Sequence, residues 1–276
     1  MARNNLNILI GGEAGQGLVT VGQLLAKSLV RGGYSIVVTQ SYQSRIRGGH
    51  NTFAIRVGVD DVIAPQESVD LLVALDQDTV TQHRGDLSAD GLILGDEAFD
   101  IADTALLKVP LKQLASGKFS NIASLGVVSA LLGIDEELVA KTLEDLFGKK
   151  HPQVMEENRH VLKAAFQWYS DQPASLHRLP PVTNSSKRLM VNGNEAIALG
   201  AASAGLKFFA FYPMTPSTSI SLNLASHAKK MGLIVEQAED EADHEAQGHR
   251  TQATPEPVQQ QAAEGDLLDD PRKHAE

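Results

Sequence analysis

The stretch Leu6-Asn7-Ile8-Leu9-Ile10-Gly11-Gly12-Glu13-Ala14-Gly15-Gln16-Gly17-Leu18 decides the fold class of this chain. Leu6 to Gly11 is a short apolar run that reads as a buried strand, and Gly12 to Gly17 reads as a glycine-rich turn. Leu18 to Gly32 follows as a helix with apolar residues at Leu18, Val21, Leu24, Leu25, Leu29 and Val30. Ser35 to Thr39 is the next strand. A strand, glycine loop, helix and strand in about 35 residues form a βαβ unit, the building block of a parallel sheet covered by helices. Working outward, Thr52–Val59, Leu71–Ala74, Gly91–Leu94 and Leu106–Val109 read as further strands, and Ala123–Leu132, Glu136–Phe147 and Val154–Trp168 as helices. Residues 1–169 are thus expected to form one Rossmann-like α/β domain with a parallel sheet.

Residues 170–187 are rich in Pro, Ser and polar side chains and are read as a linker outside the core. A second, incomplete α/β domain is expected over 188–241: a helix at Asn194–Ala204, a strand at Lys207–Tyr212, a helix at Pro216–Lys230 and a strand at Leu233–Gln237. From Ala242 to Glu276 the only large aliphatic residues are Val258, Leu267 and Leu268, too few to offset chain entropy, so 242–276 is expected to be disordered.

Composition narrows the function. The chain has 276 residues, 42% of them apolar and 21% charged, as globular proteins have, and no apolar run approaches a bilayer span. Met1-Ala2-Arg3-Asn4-Asn5 leads into the first strand without a signal sequence, so a cytoplasmic address is expected. The net charge of -10 is concentrated at the end of the chain: from Glu236 onward there are twelve acidic and three basic residues, against 22 and 21 before it. No basic face argues for nucleic acid. With no cysteine, the chain cannot hold a thiolate-ligated iron–sulfur cluster, and any such cluster belongs to a partner.

Two loops of the first domain carry candidate chemistry. Gly12, Gly15 and Gly17 space as G-x-x-G-x-G, which is neither the dinucleotide fingerprint nor a Walker loop, and the second strand ends in Thr39-Gln40-Ser41 without an acid for a ribose. Gly15, Gln16 and Gly17 either cradle an anion on free backbone N–H groups or simply permit close helix–sheet packing. Ser44-Arg45-Ile46-Arg47-Gly48-Gly49-His50-Asn51 follows the second strand. Here Arg45, Arg47, Gly48 and Gly49 meet either a phosphate or partner carboxylate, or only solvent. His83, His151, His160, His177 and His227 are scattered, and His50 stands alone, so no metal site is expected. The dense group Glu241, His244, Glu245 and His249 opens the polar tail and is not taken as one.

In the second domain Phe208-Phe209-Ala210-Phe211-Tyr212-Pro213-Met214-Thr215-Pro216-Ser217-Thr218 is an apolar strand ending in a Pro-x-Thr-Pro turn. Pro216 suits the first position of a helix and Thr215 the N-cap, where free N–H groups favour a carboxylate.

These motifs resemble the thiamine-diphosphate-dependent 2-oxoacid:ferredoxin oxidoreductases. Gly15-Gln16-Gly17 and Arg47-Gly48-Gly49 are similar to their gamma domain. Gly193-Asn194-Glu195-Ala196, Tyr212-Pro213-Met214-Thr215-Pro216-Ser217-Thr218 and Glu239-Asp240-Glu241 resemble the start of the alpha chain's pyrimidine-binding domain. Gamma before alpha is the order of the fused alpha subunits. The resemblance implies that Tyr212, Pro213, Thr215, Pro216 and Ser217 bind the 2-oxo acid, with Thr215 beside its carboxylate. It also implies that Glu241 hydrogen-bonds the aminopyrimidine of thiamine diphosphate and so activates it. It further implies a cofactor shared with a beta subunit that carries Mg²⁺ and the iron–sulfur clusters. The expected activity is oxidative decarboxylation of 2-oxoglutarate or pyruvate to an acyl-coenzyme A, with electrons passing to ferredoxin. The loss of helical pattern at Ala242 departs from the family and is read as a truncated or frame-altered subunit. A docking fragment without turnover is therefore the alternative. A nicotinamide dehydrogenase is set aside on the glycine spacing and the missing ribose acid.

Overall fold

The computed structural model describes residues 3–42, 49–115, 119–148, 152–172, 177–183 and 188–238. They divide into a first unit that reaches Arg188 and a second that starts at Leu189.

The first unit is built on β1 (Asn5–Glu13), whose seven residues from Leu6 to Gly12 are all buried. That pattern belongs to a strand covered on both faces. It is followed by α1 (Leu18–Arg31), β2 (Ser35–Tyr42), β3 (His50–Gly58), β4 (Val69–Ala74), α2 (Gln77–His83), β5 (Leu87–Asp96), β6 (Leu106–Val109), α3 (Leu111–Leu114), α4 (Ser120–Leu132), α5 (Glu136–Phe147) and α6 (Pro152–Ser170). The six strands lie in the order β2-β3-β1-β4-β5-β6. Strands β1, β4, β5 and β6 run parallel, as the sequence predicts.

One pairing differs from the simple βαβ expectation. β2 does not lie beside β1. Instead β3 inserts between them, antiparallel to both, with Ser35↔Gly58 to Tyr42↔Asn51 on one side and Asn5↔Gly58 to Glu13↔His50 on the other. The short connection after β2 lets the next strand fold straight back as a hairpin, and α1 carries β2 one strand spacing further out, roughly 4.8 Å. The result is a split βαβ unit.

Helix α4 shows why its sequence lacks charged residues. From Ile122 to Ser129 every residue is buried, and so are Leu131 and Leu132, as in a helix covered all round. A Cβ built on Gly126 would lie 2.6 Å from the Ala165 methyl of α6. Only glycine permits so close a crossing.

At the amino edge of the parallel strands the buried Asp70 carboxylate accepts from the Asn7 N–H at 2.8 Å and the Ser88 hydroxyl at 3.0 Å, and it pairs with Arg3. Arg3 also reaches Asp90 at 2.9 Å.

The stretch expected to run outside the core does so only in part. His177 and Leu179 are buried, the Leu179 N–H donates to the Leu132 carbonyl at 3.0 Å, and the Tyr34 hydroxyl donates to the Pro180 carbonyl at 3.0 Å. One buried apolar side chain, Leu179, is enough to pin a polar stretch that composition alone reads as solvated. Burial first, and the Arg3 charge second, hold the His177 imidazole below its usual value, against the pull of Asp70 and Asp90. A lowered imidazole favours folding above the ordinary value of about 6.5 and loses that contribution as pH falls through it. Trypsin at pH 7.5 is therefore expected to spare the bond after Arg178 until the first unit unfolds. Early cleavage there would contradict the docking.

The second unit contains α7 (Gly193–Ser203), β7 (Phe208–Phe211), α8 (Thr218–Met231) and β8 (Ile234–Gln237). Asn192 and Glu195 close a capping box at the start of α7, with bonds of 2.9 and 2.8 Å. Strands β7 and β8 pair in parallel from Phe208↔Ile234 to Phe211↔Gln237, the βαβ arrangement predicted from sequence. Ala198, Leu224 and Leu233 form its small core, with Leu206, Phe209, Ile220 and Val235 packed against them.

Candidate functional site

Parallel pairing gathers the carboxyl ends of strands on one edge, where ligands of open α/β sheets bind. In the first unit that edge holds Glu13 of β1, Asp76 just after β4, and His50, which opposes Glu13 at the start of β3. The Asp76 carboxylate caps α2, accepting the Thr79 N–H and hydroxyl at 2.8 Å each, and its other oxygen accepts the Glu13 N–H at 2.8 Å.

The glycine loop sits on this edge. Gly15 and Gly17 have φ of +96° and +78°, a region that side chains with a Cβ rarely adopt. Gln16 folds back, its side-chain oxygen accepting from the Glu13 N–H at 3.0 Å. Gly17 precedes α1 and provides no side-chain cap, and Phe119 before α4 provides none either. The two helix starts meet closely: a Cβ on Gly17 would lie 2.4 Å from the Asn121 amide nitrogen, and one on Gly11 would lie 2.4 Å from the Thr79 methyl. Close packing is therefore one reason for these glycines. Gly49, with φ of +116°, joins the loop through its carbonyl, which accepts the Ala14 N–H at 3.3 Å. Arg45, Arg47 and Gly48 lie outside the described residues.

The sequence treats His50 and His83 as isolated, and the structure corrects this. Their Nε2 atoms lie 2.8 Å apart, and His83 Nδ1 lies 2.8 Å from the Asp86 carboxylate. Spacing along the chain gives no hint of the pair, because 33 residues and two strands separate the rings. Burial first and the His83 charge second hold the His50 imidazole below its usual value, partly opposed by Asp76 and Asp78. Among the described residues no group of three His, Cys, Asp or Glu is arranged to hold a metal. The group Glu241, His244, Glu245 and His249 lies outside them.

In the second unit the turn after β7 forms an exposed crest. Tyr212, Met214, Thr215, Pro216 and Ser217 are exposed and Pro213 is half-buried. The Met214 carbonyl accepts the Ser217 and Thr218 N–H groups at 3.0 and 3.1 Å and the Ser217 hydroxyl at 2.8 Å. The Asn194 amide at the start of α7 donates to the Pro216 carbonyl at 3.0 Å and to the Ser219 hydroxyl at 2.5 Å, fixing the crest from beneath.

The N-cap expectation for Thr215 does not hold. Helix α8 begins at Thr218, and the residue before it, Ser217, has helical angles and caps nothing with its side chain. A residue before proline avoids the helical region, so the chain completes a turn on Met214 before the helix starts. The Thr215–Pro216 peptide is cis. With α8 starting three residues later, Thr215 stands on a turn rather than at a helix end. Glu241 lies outside the described residues, which end at Ala238. In sequence it stands four residues beyond Gln237, as Thr215 stands four beyond its strand partner Phe211.

No described helix is long and apolar enough to cross a membrane. Comparison with known proteins gives a consistent family. Residues 7–168, well over half of the chain, match the family model described as pyruvate ferredoxin/flavodoxin oxidoreductase. The 2-oxoacid:ferredoxin oxidoreductase subunit alpha of a Sulfolobus species is 24% identical over 86% of this chain and 46% of the relative. Subunit alpha of 2-oxoacid:ferredoxin oxidoreductase 2 from Aeropyrum pernix is 26% identical over 81% of this chain and 43% of the relative. The chain thus spans a little under half the length of the curated relatives it matches. The solved 2-oxoglutarate:ferredoxin oxidoreductase of Magnetococcus marinus, with 2-oxoglutarate, coenzyme A and succinyl-CoA bound, superposes with a TM-score of 0.78 at 25% identity. That match covers 89% of this chain and 45% of the solved one. The mixed sheet, the glycine loop that opens α1 and the span of the family match lead to one assignment: the chain belongs to the pyruvate ferredoxin/flavodoxin oxidoreductase family.

Proposed function

We propose that this chain acts as a subunit of a 2-oxoacid:ferredoxin oxidoreductase, in which a 2-oxo acid is oxidatively decarboxylated, its acyl group passes to coenzyme A and the electrons pass to ferredoxin. The observation that carries the reading is the likeness to the Magnetococcus marinus enzyme, which extends over 89% of this chain. Because that enzyme was solved with 2-oxoglutarate and coenzyme A, 2-oxoglutarate is the preferred substrate, with pyruvate next.

The Thr215 crest suits its proposed role. Tyr212 and Met214 offer exposed apolar area to a flat heterocycle, while the Thr215 hydroxyl offers a hydrogen bond to a carboxylate, on a turn that the Ser217 hydroxyl braces through the Met214 carbonyl. None of the residues from Tyr212 to Thr218 is cationic, so the diphosphate and Mg²⁺ of thiamine diphosphate belong on a beta subunit. When bound, thiamine diphosphate supplies the electron sink for loss of carbon dioxide. Glu241 would hold a proton at its aminopyrimidine nitrogen, and Thr215 would orient the substrate carboxylate. With no cysteine here, the iron–sulfur clusters that lead to ferredoxin also fall to the partner. In the first unit Gly15, Gln16, Gly17, Arg45, Arg47, Gly48 and Gly49 would contact an anion or the partner. A cytoplasmic address accords with this chemistry. We further propose the division 1–169, 170–187, 188–241 and 242–276 as gamma domain, linker, pyrimidine-binding segment and tail.

A second reading, a docking module without turnover, is favoured by the two-stranded sheet of the second unit, which leaves Phe208 and Ile234 52% and 64% exposed. One assay separates the two. The full chain is combined with a beta subunit, thiamine diphosphate, Mg²⁺, 2-oxoglutarate, coenzyme A and a viologen dye. Dye reduction that depends on both chains supports the enzyme, and stable assembly without dye reduction supports the docking module.

A further inference from the structure

The carboxyl edge of the first unit contains a chain of three titratable groups, Asp86, His83 and His50, that the proposed reaction does not use. The Asp86 carboxylate lies 2.8 Å from His83 Nδ1, and His83 Nε2 lies 2.8 Å from His50 Nε2. The rings are tilted by 34° with centroids 4.9 Å apart, which is the geometry of an edge-on hydrogen bond rather than a stack. The contact joins the first residue of β3 to the last residue of α2. Directly behind His50, the Gly49 carbonyl holds the Ala14 N–H of the glycine loop. The imidazole pair therefore ties three segments of the edge together.

A hydrogen bond between two Nε2 atoms needs one that carries hydrogen and one that does not. Two imidazoles have four ring nitrogens. With two or three of them protonated, the bond forms, with either ring as the donor. With all four protonated, N–H faces N–H at a distance where two unit charges also repel.

We propose that His50 and His83 form a proton-counting latch on this edge, closed while the pair carries two or three ring protons and opened by the fourth. Asp86 sets the resting state. As an ionised carboxylate it takes the His83 Nδ1 hydrogen, which leaves His83 Nε2 as acceptor and makes His50 the donor. Among the described residues, the other charged groups that face the pair are Asp76 and Asp78 from the start of α2 and Glu13 opposite His50 on β1. Arg84, next to His83, is engaged with Asp103. Asp76 and Asp78 attract a proton to His50, but burial and the neighbouring ring oppose it more strongly. The low position of His50 agrees with this balance. The sign follows: folding disfavours the doubly charged pair, so the latch contributes fully above about pH 6.5 and is lost as pH falls below it. Opening frees the start of β3 from α2 and, through Gly49, loosens the glycine loop.

The test uses the full chain and two readouts, imidazole ¹⁵N shifts and amide protection factors, at pH 7.5 and pH 5. At pH 7.5 one Nε2 is expected to carry hydrogen and the other not. On acidification, protection at residues 50–53 and 80–84 is expected to drop roughly tenfold or more, the worth of a single pKa unit, while Leu71 to Val73 in β4 stay protected. His83→Gln is expected to remove the pH step. The latch is refuted if both rings titrate as independent single sites at the ordinary value, or if protection at the edge is the same at both pH values. The wild-type titration decides by itself should the variant fail to fold.

Discussion

Glu241→Gln in the full chain, assembled with a beta subunit, is expected to lower turnover of the 2-oxo acid by roughly 10²- to 10⁴-fold, the range of a side chain that holds and returns a proton. Glutamine keeps the shape and the hydrogen-bonding reach of glutamate but cannot carry the proton. The loss should therefore appear in kcat, with KM changed little. Thr215→Val supplies the contrast. It removes a hydroxyl proposed to meet the substrate carboxylate, a bond of about 1.5–3 kcal/mol, so its effect should fall on kcat/KM for the 2-oxo acid and be smaller. Since the Thr215 crest is exposed and both positions lie outside the first unit, neither change should alter the thermal unfolding of that unit. Turnover by Glu241→Gln within about threefold of wild type would remove Glu241 from the proposed chemistry.

Phe53→Ala is expected to destabilise the first unit by about 3–5 kcal/mol, the usual cost of emptying a fully buried aromatic site. The ring packs against Gly22 of α1, where a Cβ would come within 2.4 Å of it. Gly22→Ala should therefore cost about 1–3 kcal/mol through overpacking, even though alanine is the better helix former by about 1 kcal/mol. The two sites share one contact and must couple. Replacing Phe53 with Leu makes room for the new methyl, so Gly22→Ala combined with Phe53→Leu is expected to lose less stability in urea unfolding than the two single changes added together. Additivity within about 0.5 kcal/mol would mean that α1 shifts on the sheet rather than pressing on the ring.

Strong patterns carried the reading of the fold from sequence. The apolar run of β1, the amphipathic face of α1 and the apolar length of α4 each report burial directly, because burial is what selects those residues. Pairing is a different matter. That β3 runs antiparallel inside a mostly parallel sheet depends on which edge a hairpin meets, and no local pattern records it. Helix α2 went unread because its seven residues bury only Thr79 and Val80, too few to mark a period. At the candidate sites, the glycine loop and the Thr-Pro turn were legible since glycine and proline restrict the backbone wherever they occur. The helix start at Thr215 was misread because the Met214 carbonyl, rather than a side chain, takes the first free amides. The His50–His83 contact is tertiary, made by elements that are distant in sequence, and so it had no local signature. The buried Leu179 shows the same limit for the linker: composition averages over a stretch, whereas one side chain can anchor it.

The insertion of β3 also sets a timetable for synthesis. β1 emerges from the ribosome before both of its sheet partners, His50–Gly58 and Val69–Ala74. At about 5–20 residues per second, β1 waits roughly 3–12 s between its own completion and that of β4. For those seconds a nascent polypeptide exposes one of its greasiest segments, which makes the translation intermediate, rather than the finished fold, the form with the greatest need of a holdase.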